Sequence, residues 1–332
     1  MTRAPEAPAG TPPTDLTTYT GAAHAGAATI IHAYSTSFGM ATRLLGQRIR
    51  PQVEDVYALV RIADEIVDGA AAEAGLGLDD QRELLDALEV ETERAMRTGY
   101  SANVVVHSFA VTARTAGIGV DLTRPFFASM RRDLSPVDFS GDELRAYVYG
   151  SAEVIGLMCL KVFLADSPVP DETRLRLEAG ARRLGAAFQK INFLRDLAVD
   201  WTELGRSYFP GIDPARLTER QKLALVVDID CDLGAAADAI PDLPDNCRRA
   251  ITAAHGLFSE LSDRIRSTPA AELLTRRVSV PTRMKLAILA RATVSAAVPR
   301  GQASARERAS MVPASAARKS AARTQSQPES RQ

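Results

Sequence analysis

Residues 184–200 read Leu184-Gly-Ala-Ala-Phe-Gln-Lys-Ile-Asn-Phe-Leu-Arg-Asp-Leu-Ala-Val-Asp200. Leu184, Phe188 and Ile191 recur with the spacing of one helix face. The same face then turns polar, at Gln189, Asn192, Asp196 and Asp200. Because residues three or four apart project from one side of a helix, the pattern predicts a helix that directs two amides and two carboxylates inward. Such a polar line is costly in a core unless a ligand satisfies it.

A second segment, residues 53–68, has the same design. Its apolar face is formed by Val53, Val56, Tyr57 and Val60. Asp64 and Asp68 continue that face. An unpaired buried charge costs several kcal/mol or more, so two inward aspartate pairs on two helices predict a bound divalent metal. Mg²⁺ fits best, since it binds carboxylates together with substrate phosphates, and Mn²⁺ stays an alternative.

Composition narrows the class of protein. The 332 residues are 46% hydrophobic and 24% charged, which is typical of a globular protein with a sizeable core. A net charge of −1 argues against a general nucleic-acid binder. The three cysteines lack CxxC spacing, which favours a reducing, cytoplasmic location. The amino terminus lacks the apolar core of a signal peptide, and no apolar run is long enough to predict a membrane span.

The chain divides into three zones. Residues 1–16 are rich in Pro, Thr and Ala and are expected to be disordered, as is the mildly basic tail at 299–332. Residues 17–298 form one all-α domain, because good helix formers dominate and no composition break divides them. Since the aspartate pairs are far apart in sequence, only a helical bundle can join them. Helices are predicted at 17–33, 36–45, 51–69, 78–98, 102–116, 122–133, 141–164, 171–201, 214–234, 244–267 and 281–297.

The chain resembles the squalene/phytoene synthase family, and within it the bacterial members of carotenoid pathways. The most specific match is Asn192-Phe-Leu-Arg-Asp-Leu-Ala-Val-Asp200, followed by Gly205-Arg-Ser-Tyr-Phe-Pro210. Ser35-Thr-Ser-Phe38 and Arg61-Ile-Ala-Asp-Glu-Ile-Val-Asp68 strengthen the match. Two positions depart from the family pattern. Val199 replaces an acid, and Glu153 is interpreted either as a paired charge in the bundle or as a side chain that shapes the cavity.

The resemblance implies an isoprenoid-synthase helical bundle around a deep central cavity, with both aspartate motifs at its mouth. Asp64, Asp68, Asp196 and Asp200 would hold a cluster of Mg²⁺ ions, and Asn192 would assist as a further ligand. The other residues that it assigns surround the substrate: Ser35, Phe38, Arg61, Gln189, Arg206 and Tyr208, with the catalytic Tyr147 facing the reacting carbons. Tyr57 adds an aromatic face, because a carbocation chemistry needs ring quadrupoles and exclusion of water.

The function that follows is a Mg²⁺-dependent, head-to-head condensation of two geranylgeranyl diphosphates to phytoene, through a cyclopropyl diphosphate that loses its diphosphate and a proton. NADPH is not expected, since no GxGxxG fingerprint is present. Three alternatives stay open. They are a C15-using dehydrosqualene, presqualene or squalene synthase, a terpene cyclase, and a non-catalytic helical assembly factor.

The expected partners are prenyl diphosphates and no nucleic acid, and the oligomeric state stays open. An insoluble product predicts peripheral contact with the inner membrane face. The basic tail is interpreted either as an attachment to anionic lipid or as a dispensable solvated segment.

Overall fold

The structure is a computed structural model that describes residues 14–135, 139–202 and 207–295. Within these ranges the chain forms helices and no strand. The α-helices are α1 (Asp15–Tyr34), α2 (Thr36–Thr42), α3 (Arg50–Asp68), α4 (Ala70–Glu73), α5 (Leu78–Thr98), α6 (Val104–Ala116), α7 (Val120–Asp133), α8 (Gly141–Val148), α9 (Val154–Leu164), α10 (Asp171–Arg195), α11 (Leu197–Thr202), α12 (Glu219–Ala239), α13 (Asp245–Ser267) and α14 (Thr282–Ser295). A π-helical turn covers Tyr149–Glu153, and 3₁₀ turns cover Pro214–Arg216, Ile240–Asp242 and Ala270–Leu274.

The all-α prediction is confirmed, and the differences lie at helix ends. Helix α1 begins at Asp15, two residues before the predicted start, because the Thr14 side chain caps it by accepting from Thr17 N at 3.2 Å. The predicted helix 214–234 is wrong at its start. A 3₁₀ turn occupies Pro214–Arg216, and the capping box of Thr218 and Gln221 starts α12, which continues to Ala239. Disorder was expected for residues 1–16 and 299–332. Residues 14–16 instead form the start of α1, and residues 1–13 and 299–332 lie outside the described residues.

Two predicted helices contain a local irregularity that bears on function. The helix predicted at 141–164 carries the π turn at its centre, a feature that occurs often at functional sites. The helix predicted at 171–201 is interrupted at Asp196, whose φ and ψ of −101° and 8° end α10. Asp196 N still donates to Asn192 O at 2.9 Å, and Asp200 N donates to Asp196 O at 3.0 Å. The polar line therefore continues across the interruption into α11.

The core has two parts. In the first, α1, α3, α5, α6, α7 and α9 pack around buried side chains such as Leu85, Phe109 and Phe127. In the second, α10, α12 and α13 bury Ile191, Ile229 and similar side chains. A cavity of about 790 Å³ is lined by side chains of both parts. Helix α3, which carries Asp64 and Asp68, and helix α10, which leads to Asp196, both line it, so the bundle places the two segments around one space.

One helical stretch, Gly141–Leu164, is long and apolar enough to cross a membrane. Of its most apolar window, 56% is packed inside the protein. The central helix of a bundle has the same composition, because it is apolar on all sides.

Candidate active site

All four predicted carboxylates line the same cavity, Asp64 and Asp68 from the end of α3, Asp196 and Asp200 from the junction of α10 and α11. They lie nearer to solvent than the expected core-facing positions. The Asp64 side chain is 38% exposed, and Asp68 is exposed. Both side chains line the cavity but are not buried, because the last turn of α3 reaches the rim of the bundle.

The first pair adjoins Arg61, one turn earlier on α3. Arg61 Nη1 donates to Asp64 Oδ2 at 2.5 Å, and its other terminal nitrogen pairs with Glu65. The guanidinium carbon stands 4.4 Å from the ring centroid of Tyr34. Burial alone would lower the pKa of Arg61, but the charges of Asp64 and Glu65 outweigh it and raise that pKa. Arg61 therefore stays cationic at the cavity mouth, where it can meet an anionic ligand.

The second pair is also met by arginine. Asp196 accepts from Arg195 Nε at 3.0 Å and from Arg277 Nε at 2.6 Å. Burial alone would raise the pKa of Asp196, but these two guanidinium groups outweigh it and hold that pKa below its ordinary value. Asp196 is thus an anion throughout the neutral range. Arg277 also lines the cavity, and sequence reasoning missed it, because no motif connects the 275–281 segment with the aspartates.

Gln189 and Asn192 line the cavity on α10, two turns and one turn before Asp196 respectively. Asn192 Oδ1 is buried and has no hydrogen-bond partner among the described residues. A buried oxygen without a partner is costly, so its presence beside two carboxylates indicates a ligand-binding role.

A divalent cation fits this donor set. Hard oxygen donors face the mouth, and Asn192 Oδ1 adds a coordination position that nothing in the described chain fills. Among the described residues, no three His, Cys, Asp or Glu side chains are close enough together to enclose a metal by themselves. Mg²⁺ does not need such a cage, because it keeps several waters and shares substrate phosphates with one or two carboxylates.

Two groups of aromatic rings form walls of the cavity. Phe188 stacks on Phe258 with a centroid distance of 3.6 Å, and Phe38 lies 5.9 Å from Phe188. Tyr208 stacks on Phe193 at 4.0 Å, and Tyr147 lies 5.9 Å from Tyr208. Phe38, Tyr147 and Tyr208, which were predicted from sequence, all line the cavity. Phe38 belongs to the first ring group, and Tyr147 and Tyr208 belong to the second. Ring faces of this kind attract cations.

Ser35 and Tyr57 meet at the wall formed by α2 and α3. Ser35 Oγ caps α2 by accepting from Phe38 N at 3.1 Å. Burial raises the pKa of the Tyr57 hydroxyl, and the hydrogen bond with Ser35 opposes that rise only in part. Both side chains line the cavity, as expected from the sequence. Arg206, which the resemblance places around the substrate, lies outside the described residues.

Two further polar residues at the cavity were not predicted. Asp133, the last residue of α7, accepts from the Tyr147 hydroxyl at 2.7 Å. Ser151, in the π turn, has a buried hydroxyl without a partner among the described residues. Neither residue belongs to a periodic pattern that would predict a place at the cavity. In the sequence Asp133 follows two arginines, which is typical of a charged residue on the surface. Glu153 pairs with Arg182 Nε at 2.6 Å, which confirms its interpretation as a paired charge.

Comparison with known proteins identifies relatives of this chain. The family profile described as squalene/phytoene synthase matches residues 31–284. The chain is 26% identical to a 15-cis-phytoene synthase of a Paracoccus species over 270 residues, which cover 77% of this chain and 86% of the relative. It is 29% identical to a phytoene synthase of Mycobacterium bovis over 283 residues, which cover 78% and 86%.

Solved structures share the fold. A dehydrosqualene synthase aligns with a TM-score of 0.68 at 21% identity, covering 85% of this chain and 99% of that chain. A squalene synthase of Alicyclobacillus acidocaldarius aligns with a TM-score of 0.63 at 19% identity, covering 75% and 95%. At these identities the likeness establishes the helical architecture alone.

Proposed function

Because the chain belongs to the squalene/phytoene synthase family, we propose that it joins two geranylgeranyl diphosphates head to head and releases phytoene in a Mg²⁺-dependent reaction. The chain is accordingly an enzyme that transfers prenyl groups. The observation that carries the proposal is the cavity itself. It has carboxylates and arginines at its mouth and aromatic rings along its walls.

The mouth is suited to a diphosphate leaving group. Arg61, Arg195 and Arg277 supply guanidinium groups there, which match phosphate oxygens in pairs. Asp64, Asp68, Asp196, Asp200 and Asn192 would hold the cation. When bound, Mg²⁺ supplies Lewis-acid neutralisation of the charge that develops on the departing diphosphate.

The walls are suited to the organic part of the reaction. Once the first diphosphate leaves, the allylic cation must be shielded from water until the double bond of the second substrate attacks it. The rings of Phe38, Phe188, Tyr147 and Phe193 offer quadrupoles to that cation in a space walled by packed helices. A cyclopropyl diphosphate would then ionise in the same cavity and rearrange.

Phytoene is favoured over a C30 product by the relatives. The bacterial proteins that match most of the chain are named as phytoene synthases, whereas the likeness to the dehydrosqualene and squalene synthases, at 21% and 19% identity, supports the fold alone. The choice of chain length depends on how the cavity accommodates the prenyl tails. The C15-using synthase is the second candidate.

Product identity tests the proposal. The purified full chain is incubated with C20 diphosphate or C15 diphosphate and Mg²⁺, with and without NADPH, and the hydrocarbon is identified by mass. We expect a C40 hydrocarbon from the C20 substrate, unchanged by NADPH and abolished by a chelator. A C30 hydrocarbon from C15 diphosphate, with no C40 product, would replace the proposal by the second candidate. A cyclised C15 or C20 product would overturn both.

A further inference from the structure

A charged cluster joins α10 to α12 on a side of α10 that does not line the cavity. Lys190 Nζ donates to Asp232 Oδ2 at 2.7 Å and also pairs with Asp228. Arg183 Nη1 donates to the other oxygen of Asp232, Oδ1, at 2.8 Å. None of these four residues is among the described residues that line the cavity, so an effect on ligand binding must pass through the helices.

The centre of this cluster is a buried carboxylate. Asp232 is 1% exposed, and both of its oxygens accept from cations on α10. Burial alone would lower the pKa of Lys190, but the two aspartates outweigh it and raise that pKa, so Lys190 keeps its charge. A buried charge is tolerated only while its partners stay in place. The cluster therefore fixes how far α10 can slide or turn on α12.

The cluster lies close to the second aspartate motif. Lys190 stands two residues before Asn192 and six before Asp196, which is about 9 Å along the helix. In its other half α10 is held against α12 by close packing, since a Cβ on Gly180 would stand 2.4 Å from the Ala239 Cβ. The half that leads to the motif carries the charged contacts of Lys190.

Helix α12 also holds the segment that carries a partner of Asp196. Ser262 Oγ on α13 donates to Asp230 Oδ1 at 2.9 Å, and Arg266, near the end of α13, pairs with the same carboxylate. Arg277 follows α13 in the chain and meets Asp196 at 2.6 Å. Because α12 lies between the two carriers, a shift of α10 on α12 would move Asp196 relative to Arg277.

We propose that Lys190 and Asp232 are positioning residues of the second aspartate motif. Their contact holds the end of α10 where Asn192 and Asp196 can together meet a divalent cation and its diphosphate. Neither Lys190 nor Asp232 contacts that ligand. A misplacement of about 1 Å far from the chemistry can cost about 100-fold in rate. This inference rests on the proposed function, since it concerns the site of the leaving group in that reaction.

The alternative is a cluster that only stabilises the bundle, and the other end of α10 offers a matched comparison. Arg176 Nη2 donates to Asp242 Oδ2 at 3.0 Å, in the 3₁₀ turn that follows α12. This ion pair joins the same two parts of the bundle but lies twenty residues before Asp196. An ion pair with a structural role alone should leave ligand affinity unchanged when it is broken.

The test measures ligand affinity apart from activity. The full-length wild type and its variants are titrated with inorganic pyrophosphate in saturating Mg²⁺ by calorimetry, below the melting temperature of each protein. We expect Lys190→Leu to raise the Kd of pyrophosphate by about 10-fold or more, because residues that orient metal ligands contribute about 10- to 100-fold. Lys190→Arg keeps the charge and should restore most of the affinity. Arg176→Leu should keep the wild-type Kd.

Asp232→Asn should raise the Kd in the same direction. The double variant with Lys190→Leu should add little to either single loss, since the two residues act through one contact. Asp232→Asn also supplies the measurement if circular dichroism shows that Lys190→Leu is unfolded.

A folded Lys190→Leu protein with a lower melting temperature but the wild-type Kd would overturn the proposal. A wild type that binds pyrophosphate with Mg²⁺ but forms no C40 or C30 hydrocarbon would refute the proposed function, while the Kd values of the variants would still decide the role of Lys190. Absence of pyrophosphate binding in the wild type would overturn both.

Discussion

Arg277 donates from Nε to Oδ1 of Asp196 over 2.6 Å, although 81 residues separate them. Arg195 also pairs with this carboxylate, donating from Nε to Oδ1 at 3.0 Å. The key anion of the second aspartate motif is therefore clamped by one neighbour in sequence and one distant residue. The two arginines offset its charge, and both line the cavity.

The segment that carries Arg277 is anchored by a buried lysine. Lys222, whose side chain is fully buried, donates from Nζ to Thr268 O at 2.5 Å and to Arg266 O at 2.9 Å. These carbonyls end α13 and precede the segment. A paired ammonium at a helix carboxyl end is favourable because it meets the negative end of the helix dipole. The position of Arg277 thus depends on packing between α12 and α13.

Replacement of Arg277 tests its contribution to substrate binding. We expect Arg277→Ala to lower kcat/KM by about 10- to 100-fold, since it removes a charge-assisted hydrogen bond of about 1.5–3 kcal/mol. Steady-state kinetics with the prenyl diphosphate measures the effect. Arg276→Ala is the control, because Arg276 pairs with Glu272 and is absent from the cavity lining. Equal losses in the two variants would show that Arg277 has no special role.

Replacement of the aspartates should lower activity without changing the fold. Asp64→Asn and Asp196→Asn are expected to lower turnover at least about 1,000-fold, because about 4 kcal/mol of charge stabilisation is lost at the leaving group. Helicity by circular dichroism should not change. Mg²⁺ with inorganic pyrophosphate should raise the melting temperature of the wild type but not that of the two site variants. Asp79→Asn is the control and should respond like the wild type, because the Asp79 side chain is fully exposed. Near-wild-type turnover in either site variant contradicts the metal assignment.

Alanine substitutions at two glycines are expected to change the free energy of unfolding in opposite directions. A Cβ on Gly180 in α10 would stand 2.4 Å from the Ala239 Cβ in α12, so Gly180→Ala must push the helices apart. We expect a loss of about 1–3 kcal/mol in the free energy of unfolding, measured by urea denaturation. Gly234, on the exposed side of α12, has no atom within 4 Å of the position that a methyl group would take, so Gly234→Ala should gain about 0.5–1 kcal/mol from helix propensity. A stabilising Gly180→Ala would mean that α10 and α12 can separate freely.

The pair of His24 and Asp55 predicts a pH-dependent contribution to stability. His24 Nδ1 lies 2.9 Å from Asp55 Oδ1, and Asp55 is fully buried and also accepts from Thr112 Oγ1 at 2.7 Å. The hydrogen bond with Asp55 raises the pKa of His24 above its ordinary value of 6.5, against the opposing effect of burial. The folded protein therefore binds this proton more tightly than the unfolded chain, and the contribution is complete below pH 6.5 and is lost as pH rises through the folded pKa.

His24→Gln should accordingly destabilise the protein more at about pH 5.5 than at about pH 9. Urea denaturation of wild type and variant at both pH values measures the difference. His32→Gln, on the exposed side of the same helix, should stay within about 0.5 kcal/mol of the wild type at both. A His24→Gln effect that grows with pH would show that the sign of the coupling is wrong.

Much of the site was predictable because it is local. The i, i+4 spacing of Asp64 with Asp68, and of Asp196 with Asp200, requires only helix geometry, and the surrounding apolar period predicts which face turns inward. The interruption at Asp196 was not predictable, since the hydrogen bonds on either side of it continue as in a helix. The exposure of Asp68 was missed because the apolar periodicity of a helix indicates which face turns inward. It does not indicate how far a residue lies from the rim of the bundle.

By itself the sequence determined the all-α architecture and the two polar lines, as both depend on contacts within a few turns of one helix. Only the tertiary structure decided that Arg277 meets Asp196 and that Tyr147 meets Asp133. These meetings depend on which helices pack together and how closely, as at Gly150, where a Cβ would stand only 2.2 Å from Pro125 O, and around Lys222. No short window encodes such contacts, because each results from the packing of many side chains across separate helices.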